Sequence, residues 1–232
     1  MPTAERRRAI RPWLREHHTW RPKDLIALAE LFWFGEPRDQ AIAIELMGLS
    51  KRRIPDLPWS FFDRWRKPLS AWHDTDGLGI YVFGPWQAAD RARRARRLEE
   101  LIGAPESCSR RLALVGTVIL NRRHETALPQ LTLKLVDAVA RDRDPLISKA
   151  VSWALRGLSK THRDRVSRYV ETNAQRLPAI AVREVRNKLR TGLKTPRPNP
   201  VLDRTSNAGK RSHRGREPNV RCVKSYVWAD HG

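Results

Sequence analysis

The sequence has few cysteines, no long apolar run and few acidic residues relative to basic ones. Two cysteines, Cys108 and Cys222, are too few for a disulfide framework or a four-cysteine zinc site. The longest largely apolar stretch, Leu112 to Leu120, is far shorter than the roughly 20 residues that a membrane-spanning helix needs. The basic N-terminus lacks an apolar segment behind it, which argues against a secretory signal and for a cytoplasmic location.

Basic residues dominate the charge: 46 Lys and Arg stand against 25 Asp and Glu, a formal net charge of +21. Such a charge favours a polyanionic partner, because each cation that neutralises a phosphate releases condensed counterions. DNA, RNA and anionic membrane all satisfy this condition. A membrane surface is the least favoured, because no basic helix with a broad apolar face lies near either terminus.

Apolar residues recur at steps of three and four along most of the chain, which predicts amphipathic helices, and strand-type alternation is nearly absent. The predicted helices cover residues 24–34, 36–49, 58–66, 71–83, 87–102, 107–121, 128–141, 145–158, 161–173 and 179–190. Three helix starts, near Ala71, Ser107 and Pro145, follow one another at intervals of 36 and 38 residues, close to the period of HEAT and armadillo repeats.

The predicted fold class is therefore all-α, an α-solenoid of HEAT-like helical repeats over residues 1–192, with an ordinary helical bundle as the alternative. Residues 193–232 lack the helical pattern. They contain four prolines and nine Lys or Arg against three acidic residues, which predicts a basic tail, disordered on its own. It either lies along a phosphate backbone or is a solvated extension without a role.

The first candidate site lies on the helix that begins near Ala71. Trp72 and Asp76 are four residues apart, which places an indole and a carboxylate on one face. Gly77 and Gly79 each cost about 1 kcal/mol relative to alanine in a helix interior, and a close approach by another chain or ligand is one candidate for what compensates this cost. The alternative is a core tryptophan beside a surface acid.

The second candidate face belongs to the helix that begins at Pro145. Its apolar stripe leaves four other residues on a different side, at steps of four, three and four: Lys149, Trp153, Arg156 and Lys160. An aromatic ring among cations suits a phosphate backbone. A tryptophan at the edge of the core is the other interpretation.

Arg111 is the third singular residue, because it lies in a stripe with Leu114, Val115 and Val118 where an aliphatic residue is expected. A desolvated arginine needs an anionic partner, which Asp76 or a bound phosphate would supply. If successive repeats present equivalent faces, Trp72, Arg111 and Trp153 line one concave basic surface.

These residues together resemble the AlkD-like DNA alkylation repair family. The resemblance covers roughly residues 24–191. It is carried by the run from Lys149 to Arg156 with Lys160, by Trp72-x-x-x-Asp76-x-Leu78, by Arg110 and Arg111 with the apolar run after them, and by Arg183-Glu184. The segment with Trp13 and Trp20 is expected to hold the family's first helices in shortened or recast form.

The resemblance implies a right-handed solenoid that holds duplex DNA in a concave groove, and a monofunctional glycosylase that removes purines alkylated at N3 or N7. By position, Trp72, Asp76 and Trp153 match the lesion-facing catalytic residues of the family and Arg111 its arginine beside the DNA backbone. Arg110, Lys149, Arg156 and Lys160 are the further expected DNA contacts.

Two functions remain in view at the level of sequence: a glycosylase for alkylated bases, and a noncatalytic helical module that binds duplex DNA or structured nucleic acid. The expected partner is duplex DNA with alkylated bases. No membrane, metal or small-molecule cofactor is predicted, and a monomer is expected, which would be cytoplasmic and nucleoid-associated when bound to DNA.

Overall fold

The computed structural model describes residues 3–35 and 39–195, and this part of the chain is all-helical. The predicted basic tail lies outside it, except for its first three residues. The helices are α1 (Thr3–Glu16), α2 (Pro22–Phe34), α3 (Gln40–Leu49), α4 (Trp59–Arg66), α5 (Trp72–Leu78), α6 (Gly84–Ala89), α7 (Arg91–Ile102), α8 (Ser107–Leu120), α9 (Pro129–Ala138), α10 (Pro145–Leu158), α11 (Arg163–Asn173) and α12 (Ala179–Thr191). A 3-10 turn (Lys51–Asp56) and a π turn (Gly79–Phe83) complete the set.

The predicted helices are confirmed in place over most of the chain, although the described residues form twelve α-helices where ten were predicted. Helices α8 and α10 begin at the predicted residues, and Asp144 caps α10 by accepting a hydrogen bond of 2.8 Å from the Leu146 amide. Among the described residues, every helix is too short or too polar to cross a bilayer. The all-α prediction is therefore confirmed.

One predicted helix boundary is wrong. The sequence pattern indicated a single helix over 87–102, but the chain turns at Asp90, whose carboxylate accepts a hydrogen bond from the Arg93 amide and starts α7. Residues 72–89 instead form one continuous helical rod with a π turn in its middle. The Gly84 amide donates to the Gly79 carbonyl five residues back, and this widened turn takes up the proline at position 85, which has no amide hydrogen to donate.

The N-terminal helix α1 is a second departure from the sequence prediction. Fourteen residues are helical where shortened or recast elements were expected, although Pro12 lies inside the helix and only Ile10 is buried. Helix α1 packs on α3, and Arg7 forms an ion pair of 2.7 Å with the buried Glu45. This tertiary pair stabilises a segment whose own apolar pattern is too sparse to predict a helix.

Helices α3, α5–α6, α8 and α10 pack side by side in one layer and run in the same direction. Two contacts fix the direction of each pair. Ile44 and Gly48 face Gly77 and Tyr81, Gly79 and Gly84 face Val115 and Ile119, and Arg111 and Val118 face Leu146 and Gly157. Residue numbers rise together from the first contact of a pair to the second, which defines parallel helices. Helix α12 continues the layer through contacts with α10.

A second layer of helices covers the first. Helices α2, α7, α9 and α11 each pack on the layer helix that follows them in sequence. Helix α4 completes this layer with aromatic contacts: Trp33 stacks on Trp65 with ring centroids 4.2 Å apart and donates its indole hydrogen to the Trp65 carbonyl. Helices α3, α8, α10 and α12 of the first layer thus each pair with a helix of the second, and the pairs stack along the chain as a helical repeat.

Candidate functional site

The centre of the candidate site is an ion pair between the neighbouring helices α5 and α8. The Arg111 Nε and Nη2 atoms donate to Asp76 Oδ1 and Oδ2, and both hydrogen bonds are 2.8 Å long. Arg111 is 4% exposed, so it is desolvated as expected, and of the two anions that the sequence left open the structure pairs it with Asp76. Two parallel N–H···O bonds fix the plane of the carboxylate as well as its position.

Arg111 also connects a third helix to this pair. Its Nη1 atom donates a hydrogen bond of 2.5 Å to the Leu146 carbonyl, in the first turn of α10. One guanidinium therefore bridges α5, α8 and α10. Because the fork of an arginine is rigid and planar, these contacts define where the Asp76 carboxylate lies relative to α10.

Gly79 and Gly84 let the helical rod of residues 72–89 approach α8 closely, which places Asp76 beside Arg111. A Cβ atom added at Gly79 would lie 2.6 Å from Val115 Cγ1, and one added at Gly84 would overlap Ile119 Cγ2. Gly79 is one turn after Asp76, and Val115 is one turn after Arg111. The cost of glycine in this helix is therefore compensated by close approach to another helix of the same chain, and not by the second chain or ligand that the sequence suggested.

Burial and pairing act in opposite directions on the Asp76 carboxyl. Burial raises the pKa of Asp76 above the ordinary aspartate value, and the hydrogen bonds and charge of Arg111 oppose this rise. Each carboxylate oxygen accepts one bond from Arg111, so each retains a lone pair for a ligand. The site therefore holds a carboxylate that is oriented and only partly solvated, with 15% of its side chain exposed.

The two predicted tryptophans differ in exposure. Trp72 is the first residue of α5, one turn before Asp76, and is 48% exposed, so the indole is available to a ligand. Trp153 lies on α10 and is half-buried. Neither indole is sealed in the core. Among the described residues, no hydrogen bond or ring contact joins Trp153 to the Asp76–Arg111 pair.

The predicted DNA contacts divide into exposed and internally bonded cations. Lys149 and Lys160 are exposed. Arg110 donates to Asp142 and to the carbonyls of Ala104 and Pro105, which ties the start of α8 to the preceding turn. A role of Arg110 in DNA binding stays a prediction.

Arg156 belongs to a network that sequence reasoning did not resolve. Its Nε atom donates to Ser152 Oγ at 3.1 Å, and its Nη2 atom lies 3.7 Å from Glu184 Oε2. The Ser152 hydroxyl donates a hydrogen bond of 2.5 Å to the same carboxylate oxygen. Glu184 could have been recognised from the sequence, because it is an acidic residue on the otherwise apolar stripe of α12 that contains Ala181 and Val185.

A polar cavity adjoins the N-terminal end of α5. Asp74 lines it together with Arg6, Asp39 and His73, and His73 Nε2 lies 3.2 Å from Asp74 Oδ2. Burial, reinforced by the charge of Asp39, raises the pKa of Asp74, whereas His73 and Arg6 oppose this rise. Within residues 3–35 and 39–195, no group of three or more His, Cys, Asp or Glu side chains is arranged to hold a metal ion.

Comparisons with known proteins agree with this architecture. A structure described as a predicted DNA alkylation repair enzyme from Enterococcus faecalis is similar to the chain, with a TM-score of 0.68, 22% sequence identity, and coverage of 82% of this chain and 87% of that one. At this identity the likeness concerns the fold. No curated protein matches the chain.

The family comparison covers more of the N-terminus than the sequence resemblance did. The model of a family described as DNA alkylation repair enzyme matches residues 1–189, which includes all of α1 and α2. The match therefore spans the three helices bridged by Arg111 and the segment that carries Trp13 and Trp20. The chain belongs to the DNA alkylation repair enzyme family.

Proposed function

We propose that the protein is a monofunctional DNA glycosylase that excises purines alkylated at N3 or N7 from duplex DNA. The single observation that supports this most strongly is the Asp76 carboxylate, held by two hydrogen bonds from the buried Arg111 one turn after the exposed Trp72. Such an arrangement suits the stabilisation of positive charge that develops on a sugar ring.

The chemistry follows from the charge of the damaged base. A purine alkylated at N3 or N7 is already cationic, so the C1′–N bond breaks with both electrons going to the base, which leaves as a neutral molecule. The sugar becomes oxocarbenium-like at C1′. A water molecule then adds to C1′ and releases a proton to solvent. No general acid is required.

Asp76 is proposed to act electrostatically in this reaction. Because Arg111 takes one lone pair of each oxygen, the remaining lone pairs are available to face the sugar and to orient the attacking water. Partial burial strengthens the attraction between the carboxylate and the oxocarbenium charge. Charge develops only as the bond breaks, so this interaction favours the transition state over the ground state.

The tryptophans are proposed to bind the cationic nucleotide. Trp72 exposes nearly half of its surface, and an electron-rich indole face attracts a cation by about 0.5 to 2 kcal/mol. Trp153, half-buried on α10, is proposed as the second indole of the same lesion site. The exposed Lys149 and Lys160 would neutralise backbone phosphates of a duplex held in a concave groove of HEAT-like repeats.

The experiment that tests this function is base release from methylated duplex DNA. Wild-type protein is expected to release N3- and N7-methylpurines, and Asp76→Asn is expected to abolish release while duplex binding survives. Asn is nearly isosteric with Asp, so thermal unfolding of the variant serves as a check that the fold is retained. Equal release by both proteins would remove the catalytic assignment of Asp76. Absence of release by the wild type, with binding retained, would favour the noncatalytic DNA-binding module.

A further inference from the structure

We infer that a cleft between α11 and α12 binds the phosphate backbone of DNA at a place separate from the Asp76 site. The cleft has a volume of about 1090 Å³. Its rim has five arginines, contributed by the α9–α10 connection, α11 and α12: Arg143, Arg163, Arg183, Arg186 and Arg190. The inference rests on the DNA-binding part of the proposed function and extends it to the last repeat.

The arginines of α12 form one stripe. Arg183, Arg186 and Arg190 are spaced by three and four residues and are all exposed, whereas Glu184 and Val185 between them are buried. The stripe therefore points away from the face of α12 that packs on α10. Side chains at this spacing are neighbours on a helix surface, so the three guanidinium groups repel one another unless an anion lies between them.

The charge of the cleft is compensated only slightly by the protein. Among the described residues that line it, Glu171 is the one carboxylate, and it accepts hydrogen bonds of 3.0 and 2.5 Å from Arg186. Three of the other four arginines have neutral acceptors: Arg163 donates to the Leu189 carbonyl, Arg143 to the Ala140 carbonyl and Arg190 to Asn187. Each arginine has five N–H donors, so many remain for a ligand.

Helix α7 is a second arginine-rich surface of the protein, and carboxylates lie close to three of its arginines. There Arg93 lies 3.6 Å from Asp90, and both Arg96 and Arg97 contact Glu100. Asp90 at the start of α7 and Glu100 near its end thus neutralise part of the arginine charge of this helix. In the cleft, Glu171 is the one carboxylate among the described lining residues and it contacts Arg186 alone, which favours an anionic occupant from outside the chain.

Nucleic acid is the occupant that the charges favour. The C-terminal 40 residues of the chain itself are basic, with nine Lys or Arg against three acids, so they are electrostatically unsuited to fill an arginine-lined cleft. Arginine forks match the oxygens of a phosphate diester, and the apolar floor of Leu177, Val182 and Leu189 accepts the sugar edge. A duplex long enough to extend beyond the lesion site would gain these contacts.

The test is the salt dependence of duplex binding by the full chain, measured by fluorescence anisotropy on undamaged DNA. Arg183→Gln combined with Arg190→Gln is expected to weaken binding about tenfold and to lower the slope of log affinity against log salt by about 1.8, or roughly 0.9 per phosphate contact. The matched control, Arg93→Gln with Arg96→Gln on α7, removes the same charge and is expected to leave the slope unchanged.

Glu171→Gln tests the same cleft in the opposite direction. It removes the carboxylate that competes for Arg186 and is expected to tighten duplex binding by about threefold, a result that partial unfolding would not produce. Equal losses in the cleft variant and the α7 control, or no gain with Glu171→Gln, would overturn the inference. Base release from a short methylated duplex is measured in parallel. Release of bases without the cleft effects would overturn the cleft inference and leave the glycosylase proposal intact. The cleft effects without release of bases would support the cleft inference and count against the glycosylase proposal.

Discussion

The carboxylate of Asp76 and the guanidinium of Arg111 are joined by two parallel hydrogen bonds of 2.8 Å, across 35 residues of sequence. The same guanidinium reaches the Leu146 carbonyl of α10. An ion pair of this kind contributes little net stability, because desolvation offsets much of the attraction. Its contribution is orientation, since it fixes a carboxylate at the junction of three consecutive layer helices.

The first prediction concerns the shape of the Arg111 side chain. Arg111→Lys keeps the charge but cannot hold both Asp76 oxygens and the Leu146 carbonyl at once, so the carboxylate loses its fixed orientation. We expect base release to fall by about 10- to 100-fold. Single-turnover release of methylpurines, with duplex affinity measured separately, checks this expectation.

Arg111→Met removes the positive charge that Arg111→Lys keeps, so comparing the two variants separates the effect of charge from that of side-chain shape. Arg111→Met leaves a mostly buried carboxylate without its partner and is expected to lower the free energy of unfolding by about 3 kcal/mol. The combined variant with Asp76→Asn should recover part of that loss, because no charge is then left unpaired. A lysine variant with wild-type release would show that orientation by the fork is not needed.

The second prediction is the pH dependence of base release. Burial raises the pKa of Asp76, with Arg111 opposing the rise, and the proposed reaction needs the ionised carboxylate. Activity should therefore decline on acidification at a pH above the range in which an ordinary aspartate is protonated. Arg111→Met removes the opposing interactions and should move this decline to still higher pH.

The raised pKa of Asp76 also makes the stability of the folded protein depend on pH, in a direction that can be stated. Between the ordinary pKa of the unfolded chain and the raised pKa of the folded one, the folded protein binds more protons. The stability associated with protonated Asp76 is thus present at low pH and is lost as the pH rises through the raised pKa. Thermal unfolding of the wild type and Asp76→Asn across this range measures it, and parallel curves would contradict the assignment.

The third prediction separates an exposed cation from one bonded within the protein. Lys149 is exposed on α10, so Lys149→Gln is expected to lower the salt slope of duplex binding by about 0.9 without a change in thermal stability. Arg110 donates to Asp142 and two carbonyls, so Arg110→Gln is expected to cost about 1 to 2 kcal/mol of stability. If both variants change only the salt slope, the internal bonds of Arg110 are unimportant.

Much of the fold could be predicted from the sequence because the apolar period is strong where helices bury one face. The stripe of Ile147, Val151 and Leu155 on α10 is fully buried, and Arg111 was recognisable as a charge in an apolar stripe that needed an anion. Asp76 was one of the two anions considered, and its own spacing from Trp72 had already indicated a site.

Other features depend on contacts that no local pattern records. Helix α1 has one buried residue and an internal proline, and its packing on α3 with the Arg7–Glu45 ion pair is tertiary. The π turn after α5 arises from hydrogen bonds five residues apart, which hydrophobic periodicity does not distinguish from an ordinary helix. Glu184 was visible in the sequence, but its partner Ser152 was not.

The last prediction tests whether close helix packing positions Asp76. A methyl group added at Gly79 would lie 2.6 Å from Val115 Cγ1 and 3.1 Å from its Cβ, so Gly79→Ala must push α5 and the π turn away from α8. We expect a loss of about 1 to 3 kcal/mol of stability. Base release should fall further than stability accounts for, because the Asp76 carboxylate moves relative to the sugar.

Two further variants determine whether the effect is steric. Val115→Ala in the Gly79→Ala background removes the clashing methyl groups and should restore part of the base release, although it loses some buried surface itself. Gly103→Ala is the matched control, since a Cβ atom added there would meet only carbonyl oxygens of its own chain segment, the nearer being that of Glu100 at 3.8 Å, and it should change stability by no more than about 0.5 kcal/mol. If Gly79→Ala releases bases at the wild-type rate while measurably destabilised, Asp76 is positioned by Arg111 alone and the glycine contact serves only the fold.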